Sequence, residues 1–237
     1  MNALEKPLTV AALAGLWKRT LLCTPGLEDT TTRVAWLQGP SLFVDLRQPF
    51  DRPDFTHARA LDNLSHEDCL WLARQQGFAG VFAEQDGVFW WHREIDLQPQ
   101  AAQPDAGTLF WEGKTLVETG HFANYLEHWQ RPPNCPATPS CAMRLRRRAD
   151  GRAAILARAG EVFMVARARA VPLSGQCLAD AVAAAPLALA RELVDCEISL
   201  GEAATWRITR SSLPFREGAV FSLDGWDVEY REEACGS

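Results

Sequence analysis

The chain is poor in the features that most directly give a function away. Nothing in its 237 residues approaches the run of ~20 apolar residues that a membrane-spanning helix needs. Positive charge is not in excess, since the net charge is -6, and this argues against a nucleic-acid surface. The one basic cluster, Arg144, Arg146, Arg147 and Arg148, reads as the solvent face of a strand and its turn. A phosphate-cradling glycine loop, a serine nucleophile elbow and a zinc-protease HExxH are all missing. The seven cysteines are odd in number and none forms a CxxC pair, which excludes the common zinc and dithiol frameworks and leaves reduced structural thiols. The first residues carry an acid ahead of a short apolar run and no cationic region before it, so they do not read as a secretory leader. The expected location is the cytoplasm, with no cofactor, no membrane span and no nucleic-acid partner.

What is present is material for a large core, with 47% hydrophobic and 23% charged residues. Turn signals cut it into strand-length pieces. Gly15–Thr24 stops at Pro25-Gly26, Thr31–Gln38 and Ser41–Arg47 flank Gly39-Pro40 as a hairpin, and Asp86-Gly87 and Glu112-Gly113-Lys114 mark two further reversals. Ser65–Gln76 predicts a helix capped by Ser65 with Asp68 in the reciprocal position, placed to close one end of a barrel. Four prolines in Arg131–Ser140 mark a linker, and beyond it tryptophan gives way to alanine and arginine. The predicted division is a barrel over residues 1–131, a linker over 132–140 and a second barrel over 141–237. In the second part, strands are expected at Cys141–Arg148, Arg152–Arg158, Glu161–Ala170, Ala188–Leu200, Thr205–Ser211, Val220–Leu223 and Trp226–Arg231, with a short helix at Leu178–Ala185. Many short strands at hairpin spacing predict an all-β chain of two antiparallel barrels with a few short helices.

Period-2 alternation then picks out a candidate site. In Val88–Leu97 it sends Phe89, Trp91, Arg93, Ile95 and Leu97 to one face, and in Asn124–Arg131 it does the same for Tyr125, Glu127, Trp129 and Arg131. Val34, Trp36 and Gln38 share a face, as do Phe43, Asp45 and Arg47. A charge on an apolar face is costly unless paired. Arg47 and Arg93 are therefore expected to point into the N-terminal barrel and pair with Glu118 and Glu127, with Trp36, Trp91, Tyr125 and Trp129 packed around them. None of these eight is given a catalytic role and none is a metal ligand. His92, Arg93 and Glu94 alternate in direction and do not converge on one atom, and His121 and His128 lack the spacing of a metal pair.

The order of LVETG (Leu116–Gly120), YLEHWQRPP (Tyr125–Pro133), a linker and then the strand-turn-strand CAMRLRRRADGRAAILARAGEVFMVARARAVP resembles the two-domain lipocalin-like, calycin-like family known best from a yeast protein of undefined biochemical role. That family has an acidic-Thr-Gly segment ahead of an aromatic-x-Glu-x-Trp strand in the same order. The likeness runs from about Val88 to Val171 and implies two lipocalin-like barrels without carrying an activity. Three functions are compatible with the sequence. The first is binding of a small amphipathic or aromatic ligand in the N-terminal barrel. The second is a protein-interaction module with side-chain-filled barrels, and the third, a minority reading, is a small-molecule isomerase or hydrolase using Glu118 or Glu127. No oligomeric state is written in these residues.

Overall fold

The computed structural model describes residues 8–133, 135–173, 175 and 177–234. Its first half contains nine strands: β1 (Gly15–Thr24), β2 (Leu27–Asp29), β3 (Arg33–Gln38), β4 (Leu42–Gln48), β5 (Gln76–Gln85), β6 (Val88–Asp96), β7 (Ala106–Glu112), β8 (Thr115–Gly120) and β9 (Leu126–Gln130). All pairings are antiparallel. β2 folds back on the end of β1 as a short hairpin, while β1 itself pairs with β3 on one side and with β9 on the other, from Lys18 opposite Gln130 to Cys23 opposite Leu126. That last pairing closes β1 and β3–β9 into an eight-stranded barrel. The turn chemistry is local. Asp86 and Gly87 both adopt positive φ (55° and 79°), as the two-residue reversal between β5 and β6 requires.

The second half forms a six-stranded antiparallel sheet from β10 (Ser140–Arg147), β11 (Ala153–Ala159), β12 (Val162–Arg167), β13 (Glu197–Glu202), β14 (Arg207–Ser211) and β15 (Trp226–Ala234), in the order β14-β13-β12-β11-β10-β15. Among the described residues no pairing joins its edges β14 and β15, so the expected second barrel is instead an open sheet. Two departures from the predicted strands account for this. The stretch before β13 is helical, with α2 (Leu178–Ala184) and α3 (Leu187–Val194). Ala188–Leu200 reads as one apolar strand, but Ala190, Leu193 and Val194 have helical spacing among good helix formers and are the positions α3 buries. Val220–Leu223 contributes a single bridge, Val220 to Arg207.

The open sheet is laid against the barrel. Leu37, Leu42, Val44 and Leu46 on the outer face of β3 and β4 share one apolar core with Ala142, Ile155, Ala157, Met164, Ala166 and Ile198 of the second sheet. Alanines on the facing strands let the two layers approach closely, and each Leu or Ile buried there is worth ~1.5–3 kcal/mol. Polar contacts pin the junction. The Glu232 carboxylate accepts from the Ser41 hydroxyl at 2.6 Å and from the Ser41 and Leu42 amides, both at 2.8 Å. Gln48 donates to Gln75 at 2.8 Å and to the Ser211 carbonyl at 2.9 Å.

The helix expected after Leu64 is present as α1 (His66–Leu72), with Ser65 and Asp68 forming the reciprocal cap. The expected packing on a barrel end is not what its core shows: Trp71 and Leu72 pack with Leu178, Val182, Leu193 and Val194 of α2 and α3 in a separate core. No helix among the described residues is long and apolar enough to cross a membrane.

Candidate functional site

Pleating of a closed barrel turns every second residue inward. From β3 and β4 the inward set includes Trp36, Phe43, Asp45 and Arg47, so the mixed charged and aromatic face of these strands is the interior and the aliphatic face is the one the second sheet covers. In β6 the alternation is broken. Ala79 pairs with Ile95 but the next residue, Gly80, pairs with Arg93, and Glu94 is left out as a bulge. A Cβ on Gly80 would lie 1.9 Å from the His92 carbonyl oxygen, so this close approach requires glycine. The bulge inverts the direction of the residues beyond it. Phe89 and Trp91 stay with the barrel core, while Ile95 and Leu97 join the core shared with the second sheet, which corrects the expectation of one face for all five residues.

One end of the interior is filled by rings. Trp36 lies at the centre, 6.0 Å from Trp17, 5.4 Å from Phe82, 5.9 Å from Trp91 and 5.5 Å from Trp129 between centroids. Around it the remaining interior is charged. Glu127 accepts from Arg19 at 2.5 Å and from Arg47 at 3.3 Å, and Arg47 also donates to Asp45 at 2.9 Å. The expected pairing of Arg47 with Glu127 is therefore present. Arg93, in contrast, contacts neither glutamate. It pairs with Asp105 at 2.5 Å and Asp96 at 3.1 Å and lies 3.5 Å over the ring of Phe78. Glu118 has no arginine partner among the described residues; its two oxygens accept from the Tyr125 hydroxyl at 2.7 Å and from the Trp129 indole N–H at 3.0 Å. The reason is register. Glu118 and Glu127 stand directly opposite each other on β8 and β9, and the reach of Arg19 from the neighbouring β1 gives Glu127 the cations.

These groups line a cavity of about 190 Å³, and all eight candidates from Trp36 to Trp129 contribute to its wall, joined by Asp45 and Asp105. A second cleft of about 400 Å³ lies beside it and shares Trp91, Arg93, Asp105 and Tyr125. The cleft sits where β6 and β7 separate, since only Phe89–Gly107 and Trp90–Ala106 pair between them. The Arg93–Asp105 ion pair thus stands between the cavity and the cleft.

Electrostatics single out Glu118. Burial, followed by the charges of Glu127 and Asp105, pushes its carboxyl well above the ordinary range, against the smaller downward pull of the Tyr125 hydrogen bond and of Arg47. Burial and the neighbouring Glu118 likewise push the Tyr125 phenol up, so it is a hydrogen-bond donor at neutral pH. Burial raises Asp45 despite the opposing charge of Arg47. Chemically the cavity offers a carboxyl that burial makes a weaker acid than usual, a phenol and three indoles, with Arg47 and Arg93 already engaged.

Sequence reasoning did not find Arg19 or Asp105. Arg19 was legible, because it shares a face with Trp17 in an alternating strand; Asp105 lies in a loop before β7 and carries no periodic signal. No histidine lines the cavity; His92 stands outside it against Trp90, with centroids 6.3 Å apart. Among the described residues no group of three potential metal ligands occurs. Six cysteines carry free thiols, of which Cys69 and Cys196 are buried and pushed up to about 11 by desolvation; Cys235 lies outside the described residues.

No protein-family model matches the sequence, and no curated protein matches it either. Among solved structures the chain is similar to the uncharacterised protein YLR301w of Saccharomyces cerevisiae, with a TM-score of 0.54 over 92% of this chain and 98% of that one. At 10% identity the likeness concerns the fold alone.

Proposed function

We propose that the barrel is a binding module for one compact small molecule, held in the cavity by Trp36, Trp91, Tyr125 and Trp129 as walls and by Glu118, Glu127, Arg47 and Arg93 as polar contacts. The observation that carries this reading is a cavity of about 190 Å³ in the barrel, lined both by the flat rings of Trp36, Trp91 and Trp129 and by hydrogen-bonding groups. Ligand sites combine an apolar lining with a few convergent polar groups. The volume falls below the ~300 Å³ at which drug-sized sites begin, so the ligand class is small. Four tryptophans in or beside the cavity make intrinsic fluorescence the natural assay. Titration with a fragment set should quench or shift the emission of Trp91 and Trp129, and native mass spectrometry of freshly purified protein should show an adduct. Emission indifferent to every fragment, with no adduct, sinks the proposal. The free thiols support a reducing compartment such as the cytoplasm as the place of action.

A second reading is favoured by a different observation. Phe110 of β7 is 38% exposed, and Phe122 beyond β8 is 45% exposed. In that reading this wall of the barrel docks a protein partner, and the interior serves only for stability. Substituting Phe110 and Phe122 by serine separates the two, because fragment binding in the cavity should survive.

A further inference from the structure

Formal charges in the cavity wall do not cancel. Four carboxyl groups, Asp45, Asp105, Glu118 and Glu127, face two guanidinium groups, Arg47 and Arg93. Arg47 is held by Asp45 and Glu127, Arg93 by Asp105 and Asp96, and Arg19 from β1 divides between Glu127 and Asp29. Glu118 is the acid left over. It is 4% exposed, borders the cavity, and among the described residues has only the neutral donors of Tyr125 and Trp129 as partners. A buried carboxylate without a counter-ion is strongly disfavoured.

We infer that the cavity selects a small organic cation, an aromatic or cyclic amine, whose ammonium group docks on Glu118 among Trp36, Trp91 and Trp129. This rests on the binding reading above and names its ligand class. Three features point the same way. The acid surplus repels an anion; indole rings attract a cation by their quadrupole, most strongly when desolvated; and the small volume requires a compact molecule. While the cavity holds no amine, Glu118 answers its missing charge partner by keeping a proton, in keeping with the upward push from burial, Glu127 and Asp105. The groups that set this balance are Asp45 and Arg47 on β4, Arg93 on β6, Asp105 ahead of β7, Tyr125 and Glu127 at β9, and Arg19 on β1. Binding is then an exchange: the amine enters as R–NH3⁺, Glu118 changes from COOH to COO⁻, and one proton leaves for solvent.

Calorimetric titration of the intact protein with 2-phenylethylamine, 2-phenylethanol and phenylacetate, which share size and ring, tests this. The amine should bind about tenfold or more tightly than the alcohol, with the acid weakest. Repeating the amine titration in buffers of different ionisation enthalpy should reveal about one proton released, and amine affinity should rise up to about tenfold per pH unit below the pH at which Glu118 titrates. In Glu118→Gln the proton release should vanish and the amine should lose its preference over the alcohol. The comparison in the unaltered protein needs no variant, so a failure of Glu118→Gln to fold leaves the test intact. Alcohol or acid binding as tightly as the amine overturns the cation assignment while leaving a ligand-binding barrel; binding of none of the three at millimolar concentration removes both.

Discussion

Replacing Glu127 by Gln keeps the shape of the side chain and deletes the charge that Arg19 and Arg47 share. The side chains of Arg19 and Glu127 are 5% and 4% exposed, so neither can recover solvent in place of its partner. Removing one member of a buried pair costs about 3–5 kcal/mol, most of it the penalty of the charge left behind. Here Arg19 retains Asp29 at 3.1 Å and Arg47 retains Asp45 at 2.9 Å, which places the expected loss at the low end, about 3 kcal/mol. That is a large fraction of the ~5–15 kcal/mol by which folded domains are stable. With a urea m-value of about 2 kcal/mol per molar, the unfolding midpoint should drop by about 1.5 M at unchanged slope. The comparison is Asp227→Asn, whose partner Arg148 is 61% exposed and whose own side chain is 62% exposed; it should cost about 0–1 kcal/mol. Arg19→Met combined with Glu127→Gln should lose less than the sum of the single changes, because the double variant no longer buries the orphaned guanidinium. A loss under ~1 kcal/mol for Glu127→Gln, or strict additivity in the double variant, refutes the description of this cluster as a buried network.

Stability should also depend on pH through Glu118. Its carboxyl is raised in the folded chain, so the folded form keeps a proton that the unfolded form gives up; the contribution is present below the unfolded value of about 4.3 and is lost as pH rises toward the folded one. Denaturant midpoints measured from acid to neutral pH should fall more steeply in the unaltered protein than in Glu118→Gln, and parallel profiles would contradict the assignment. Limited proteolysis is expected to nick first within residues 131–140, and the two fragments should stay together on native gel filtration because of the core they share; separation of the fragments would show that core to be weaker than its burial implies. Thiol titration of the denatured chain should count all seven cysteines, whereas in the folded protein Cys69 and Cys196 should react last, and their prompt labelling would contradict their burial.

Much of this architecture is readable from residue order. β1 coincides with Gly15–Thr24 because a glycine opens it and Pro25-Gly26 ends it, and the charged aromatic faces of β4, β6 and β9 announce an interior containing both. What the residue order withholds are properties of pairs. Whether the face of Asp45 and Arg47 looks inward or to water depends on what covers Leu42, Val44 and Leu46, and that cover comes from alanine-rich strands far along the chain. The bulge at Glu94 exists because Gly80, on another strand, lets His92 approach; neither residue alone signals it. Arg93 reads as a partner of the glutamates because its true partner, Asp105, lies in a loop without periodicity. Ala188–Leu200 is ambiguous between the two regular periods, and only packing against α1 and α2 decides for α3.

The shared core also makes the barrel mechanically uneven. β3 and β4 are sandwiched between an aromatic interior and a second sheet, whereas among the described residues none of β7, β8 or β9 belongs to the shared core. The bracing ends at β6, and beyond it runs the β6–β7 seam, stitched by two residue pairs and by the ion pair of Arg93 and Asp105. Local opening follows the least supported contacts. The barrel therefore has a braced side and a thinly paired one, and the β6–β7 seam is the junction at which local opening should cost least.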